Sequence, residues 1–253
     1  MDRERNKAEG LYRPEMEHDS CGIGFVANLK GRKSHEVIEN ALTMLSNMEH
    51  RGGTGYDVCC GDGAGVLIQI PHAFLVEDCA KRGFRLPQSG DYGVGMVFFP
   101  SDKSRREECR ELLDRNAETL GLKVICYREV PRDNSTLGQA ALDTEPKVEQ
   151  VFIAKPEEMD NQEFERKLYV ARNYTIHLAR ETVSGIGEDF YIISMSSKTI
   201  TYKGQFTTAQ VREYYLDLQN EKVVSAMAMF HSRFSTNTFP AWRLAQPFRY
   251  LSH

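Results

Sequence analysis

The chain has 253 residues, 41% of them hydrophobic and 27% charged, the balance of a soluble globular protein built around one large α/β domain. A formal net charge of -4 without any block of Lys and Arg excludes the electrostatic footprint of a nucleic-acid or anionic-membrane binder. No apolar run reaches the roughly 18 to 20 residues of a membrane span, and the start Met1-Asp2-Arg3-Glu4-Arg5-Asn6-Lys7 lacks the apolar centre of a secretory signal, so a cytoplasmic protein is expected.

Residues 1–20 are polar with scattered apolar positions and read as a leader that is removed, leaving a domain over 21–253. Ile23, Phe25, Val26 and Ala27 predict a strand over 22–29. Ser34 then caps a helix whose apolar positions Val37, Ile38, Ala41, Leu42, Leu45 and Met48 share one face, and the Gly-rich turn at 52–55 ends it. A buried strand is predicted over 66–71, a helix over 72–82, a strand over 93–100, a helix over 102–120 and a strand over 123–130. Turn formers make 132–146 a surface loop. A strand follows at 148–154, a helix at 160–181, strands at 189–195 and 198–203, a short helix at 208–218 and a strand at 222–230. This order predicts a layered α/β protein, and periodicity leaves both a doubly wound sheet and a pair of sheets between helices open.

Six cysteines, Cys21, Cys59, Cys60, Cys79, Cys109 and Cys126, form no C-x-x-C pair and have no matching His spacing, so neither a metal site nor a disulfide framework is predicted. Five of them read as small, buried, reduced side chains. Cys21 differs, because it sits in Asp19-Ser20-Cys21-Gly22-Ile23-Gly24-Phe25 directly after the leader. Cleavage after Ser20 would give one residue a thiol, with a pKa of about 8.5, and an α-amine at about 7.7 to 8.0. The neutral amine can take the thiol proton directly or through a water, which an amide nitrogen cannot do. Gly22 and Gly24 permit close approach of a substrate; no G-x-G-x-x-G follows a strand, which argues against nucleotide binding. Arg51 reads in isolation as a cation offsetting a helix C-terminus, and Gly61-Asp62-Gly63 as a tight turn.

Cys21 and its neighbours, together with Met48-Glu49-His50-Arg51-Gly52-Gly53-Thr54-Gly55-Tyr56-Asp57 and Phe230-His231-Ser232-Arg233-Phe234-Ser235-Thr236-Asn237-Thr238-Phe239-Pro240, resemble the class II glutamine amidotransferases. Gly61-Asp62-Gly63 and the continuation from Ala241 to His253 resemble the glutaminase domain of glutamate synthase large subunits in particular, with departures at Ala241 and Arg243. The resemblance implies the four-layer α-β-β-α sandwich of the N-terminal nucleophile hydrolases, incomplete at the C-terminus. It implies Cys21 as nucleophile on the side-chain amide of glutamine, a thioester intermediate and release of ammonia. Arg233 is expected to hold the α-carboxylate of glutamine through two charge-assisted hydrogen bonds, helped by Thr236 and Asn237, with Arg51 shaping the pocket.

In that family an Asn-Gly pair supplying the oxyanion donors follows the Leu-x-His that matches Leu251, Ser252 and His253, so this segment alone is expected to be weakly active or inactive. No cofactor is expected in this segment. The resemblance places FMN and an iron-sulfur cluster in the remainder of the parent enzyme, and its partners are the synthase domain of the same polypeptide and a small electron-donating subunit. The alternatives are another class II enzyme, making phosphoribosylamine, glucosamine phosphate or asparagine; a catalytically incompetent glutamine-binding or interaction fragment; and a thiol hydrolase pairing Cys21 with His231.

Overall fold

The structure is a computed structural model that describes residues 22–235 and 237–248. The leader, Cys21, Thr236, Leu251, Ser252 and His253 lie outside these residues.

Two four-stranded antiparallel sheets form the centre. The first has the order β1-β8-β2-β7, from Ile23–Ala27 (β1), Met227–Ser232 (β8), Ala64–Gln69 (β2) and Thr199–Gly204 (β7). The second has the order β4-β5-β3-β6, from Lys123–Glu129 (β4), Lys147–Ala154 (β5), Tyr92–Phe99 (β3) and Tyr191–Ser196 (β6). All eight residues of β3 are buried, which is why it reads as a continuous apolar run. Its side chains serve two cores in alternation, as the period of a strand requires. Tyr92, Val94, Met96 and Phe98 join the larger core, and Val97 and Phe99 the smaller.

The helices cover these sheets. Helix α1 (His35–Asn47) lies against β8 and β1, burying Val37, Ile38, Ala41, Leu42 and Leu45 along one stripe. Helices α3 (Lys103–Thr119) and α5 (Asn161–Thr182) pack on each other and enclose the smaller core against the second sheet. Asp102 and Asp160 cap them by accepting backbone N–H groups of the first turn. Helix α2 (His72–Lys81) adds Phe74, Leu75 and Cys79 to the larger core. The arrangement is an α/β fold of helix, sheet, sheet and helix, compatible with the expected sandwich.

Inside the larger core Arg128 is 1% exposed. Its guanidinium makes two bonds to Asp217, at 2.7 and 2.8 Å, and one each to Asp78 (2.5 Å) and Gln150 (3.0 Å). A charge so buried persists because four of its five N–H donors are matched, two of them by the Asp217 carboxylate.

Several expectations need correction. Helix α1 ends at Asn47, and a separate 3-10 turn, Glu49–Arg51, precedes Gly52. Ser34 occupies the N-cap position without a side-chain capping bond; its backbone instead bridges to Ser225. The 132–146 loop contains a short helix, α4 (Gln139–Asp143), which buries Ala141. The 208–218 helix is two pieces, α6 (Gln210–Tyr214) and the 3-10 turn Leu216–Gln219. The last strand starts at Met227 rather than 222, because Val223 closes a turn onto the Asn220 carbonyl and is buried there. Cys60, Cys79, Cys109 and Cys126 are buried free thiols, whereas Cys59 is exposed.

Candidate active site

The three segments singled out in the sequence meet at one end of the first sheet. In the β1–β8 ladder Ile23 is opposite His231, and one step further the Ser232 N–H donates to the Gly22 carbonyl at 2.7 Å. The fit is close, since a Cβ on Gly22 would overlap the Ser232 carbonyl and touch the Cβ of Arg51. The residue next to Cys21 in the chain is thereby fixed beside Arg51 and Ser232.

The second segment closes the other side. After the Glu49–Arg51 turn, the Gly53 N–H donates to the Arg233 carbonyl (3.1 Å), and the Asp62 N–H donates to the Gly53 carbonyl (2.8 Å). Gly63, at φ 132, presents its carbonyl to the Arg233 N–H at 2.8 Å. Arg233 is therefore held by its backbone on both sides, and its guanidinium bonds to the Asp62 carbonyl (3.1 Å) and to Thr238 Oγ1 (2.5 Å). It is half-buried, and burial pushes its pKa down, opposed by the charge of Asp62. The cation persists because guanidinium starts so high.

Asp62 organises this corner. It is buried, and its Oδ2 accepts the Ser235 N–H at 2.6 Å, which turns the chain after Arg233. Ser235 Oγ in turn donates to the Thr238 carbonyl. A small pocket of about 10 Å³, the space of a single water, lies here, lined among others by Glu49, Gly52, Thr54, Thr207, Ser232 and Arg233. Its walls are rich in glycine, so backbone groups face the space, and one cation borders it.

Arg51 lies beside Gly22, and Arg233 follows Ser232 at the end of β8, with Asn237 exposed on the adjoining bend; Cys21 and Thr236 lie outside the described residues. His231 is buried within β8 between Ile23 and Gly65. Two contributors escaped the sequence reading. Asp62 looked like part of a turn, and its placement between two glycines was the available signal. Thr238, not Asn237, bonds to Arg233, and no local pattern distinguishes it. Among the described residues no group of three or more His, Cys, Asp or Glu side chains converges as an iron-sulfur cluster or metal ion would require, and no helix is long and apolar enough to cross a membrane.

Comparison with known proteins places this geometry in context. The sequence profile of the class II glutamine amidotransferases matches residues 21–253. The chain is 48% identical over 248 residues to the NADPH glutamate synthase large chain of Bacillus subtilis, covering 98% of this chain and 16% of that protein. It is 44% identical over 255 residues to the NADH glutamate synthase of Schizosaccharomyces pombe, with coverages of 98% and 12%. Identity to ferredoxin-dependent glutamate synthase 2 of Synechocystis is 42% over 237 residues, with coverages of 94% and 15%. The chain thus spans between 12% and 16% of the length of these relatives.

Proposed function

This chain belongs to the class II glutamine amidotransferases, and from that premise we propose that it is the glutaminase domain of a glutamate synthase large chain. Residues 1–20 are removed, and Cys21 becomes nucleophile and base in one residue. Its amine takes the thiol proton, the thiolate attacks the side-chain amide of glutamine, and the resulting ammonium returns that proton to the leaving nitrogen as the tetrahedral intermediate expels ammonia and leaves a thioester. Water then releases glutamate and restores the thiol.

Arg233 holds the α-carboxylate of glutamine, which sets the distance from that end of the substrate to the nucleophile. Asn237 and Thr236 complete the carboxylate end, and Arg51 packs behind Gly22. The observation that carries this reading is the junction of Gly22, Arg51, Gly63 and Arg233, four positions drawn from segments far apart in the chain.

In the parent enzyme the ammonia is consumed with 2-oxoglutarate in a synthase domain of the same polypeptide. That portion would hold FMN and an iron-sulfur cluster; the described residues of this chain offer no ligand set for the cluster. A small electron-donating subunit and a cytoplasmic location complete the proposal.

Covalent labelling tests the site. A diazoketone analogue of glutamine should label Cys21 saturably, with glutamine protecting, and a Cys21→Ser variant should take no label. Labelling that does not saturate, or that is indifferent to glutamine, contradicts the proposal and favours an inert binding fragment.

A further inference from the structure

Lys203, in β7, is fully buried, yet the charged groups acting on it are all cationic: Arg172, Arg233 and Arg243. Burial first, and these arginines second, push its pKa well below the ordinary lysine value. A lysine so placed is costly unless its donors are used, and they are. Its Nζ donates to the Arg243 carbonyl at 3.0 Å and to the Ala245 carbonyl at 2.6 Å, and lies 4.1 Å from the centre of the Phe248 ring. Both hydrogen-bond acceptors and the Phe248 ring belong to the 242–248 segment, while the Tyr191 ring of β6 lies 5.3 Å from the same nitrogen.

That segment lies across the same sheet that builds the active site. Trp242 begins it, 5% exposed, bonding through its indole N–H to the Ala141 carbonyl and packing edge-on against Phe98 and Phe206. The Gln246 carbonyl passes so close to Gly65 that a Cβ there would overlap it, and Ala245 sits against Gly63 in the same way. Gly63 is the residue whose carbonyl accepts the Arg233 N–H. A continuous path therefore runs from Lys203 Nζ through Ala245 and Gly63 to the backbone of Arg233.

We infer that Lys203 is a positioning residue for Arg233: it fastens the 242–248 segment onto β7 and β2, and Ala245 in that segment holds Gly63 in place beneath the glutamine-binding arginine. The inference rests on the proposed glutaminase reading for the identity of the ligand. The fastening itself is independent of that reading.

The test uses the full chain with Lys203→Met, which keeps the packing and removes the donors, and Lys203→Gln, which keeps a shorter N–H donor should the first variant fold poorly. Trp242 is the single tryptophan, so its fluorescence reports the segment directly. With the segment released, Trp242 emission shifts to the red and its quenching by acrylamide increases, more for K203M than for K203Q. For labelling of Cys21 by the diazoketone analogue of glutamine, the half-saturating concentration should rise about tenfold in K203M, the size expected from losing hydrogen bonds to a charged donor. The limiting rate at saturation, and labelling by iodoacetamide, which needs no carboxylate anchor, should stay near wild type. A merely structural lysine would lower the melting temperature without moving this half-saturation. Unchanged half-saturation in K203M and K203Q, with wild type labelling saturably, overturns the inference alone. Absence of saturable labelling in wild type sinks the glutaminase reading instead.

Discussion

The backbone N–H of Ser232 donates to the carbonyl of Gly22 at 2.7 Å, one step past the last paired residues of β1 and β8. Strand register, rather than loop conformation, thus fixes where Gly22 lies relative to Ser232 and the start of the Arg233 segment. A Gly22→Ala substitution forces a methyl group against the Ser232 carbonyl. We expect destabilisation on the order of 1–3 kcal/mol from overpacking and a loss of labelling at Cys21 by the glutamine analogue. Thermal melts and labelling rates measure the two effects separately.

Arg233→Lys retains a cation but loses the planar fork that matches a carboxylate. The half-saturating concentration of the glutamine analogue should rise about tenfold to a hundredfold, with iodoacetamide labelling unchanged. Thr238→Val removes the hydroxyl that accepts from the guanidinium at 2.5 Å and should give a shift in the same direction but smaller. Equal effects of the two would indicate that Thr238, rather than the fork, dominates recognition.

Asp62→Ala leaves the Ser235 N–H without its acceptor. The cost should be about 1–3 kcal/mol if the amide stays buried, read from urea denaturation. Arg233 should also lose orientation, so the half-saturation for the glutamine analogue rises in the same variant.

The Arg128 network gives the fold an acid limit. Burial alone would raise the pKa of Asp78, but the hydrogen bond and charge of Arg128, together with Arg82, outweigh it and hold the carboxyl below its usual value. A depressed folded pKa means stability that is complete above the unfolded value of about 3.9 and is lost as pH falls through the folded value. Denaturant titrations carried down through and below a pH of about 3.9 should show an acid slope that is shallower in Asp78→Asn. Arg128→Met should cost about 3–5 kcal/mol near neutral pH, because it strands the buried Asp217 carboxylate.

Much of this was legible in the chain. The stripe of Val37, Ile38, Ala41, Leu42 and Leu45 gave helix α1, and the apolar run from Tyr92 to Phe99 gave β3, because in both cases the local period matches the buried surface. Gly22, Arg51 and Arg233 were also marked, by the segments that contain them. What stayed hidden depends on contacts between distant residues. Val223 reads as strand but closes a turn, since its partner is the Asn220 carbonyl rather than a neighbouring strand. Helix α4 hides in a turn-rich segment, and the bond from Trp242 to its Ala141 carbonyl, 101 positions away, ties it to the active-site end of the chain. What marks Asp62 and Thr238 is their bonding to Ser235 and Arg233.

In the proposed mechanism Cys21 works as an N-terminal residue, its own amine serving as base. Intact-mass measurement on protein reacted with the glutamine analogue tests it most directly. The labelled species should lack Met1 to Ser20 and carry the label on the terminal Cys21. Protein that retains Met1 to Ser20 and takes the label at the same rate would contradict it.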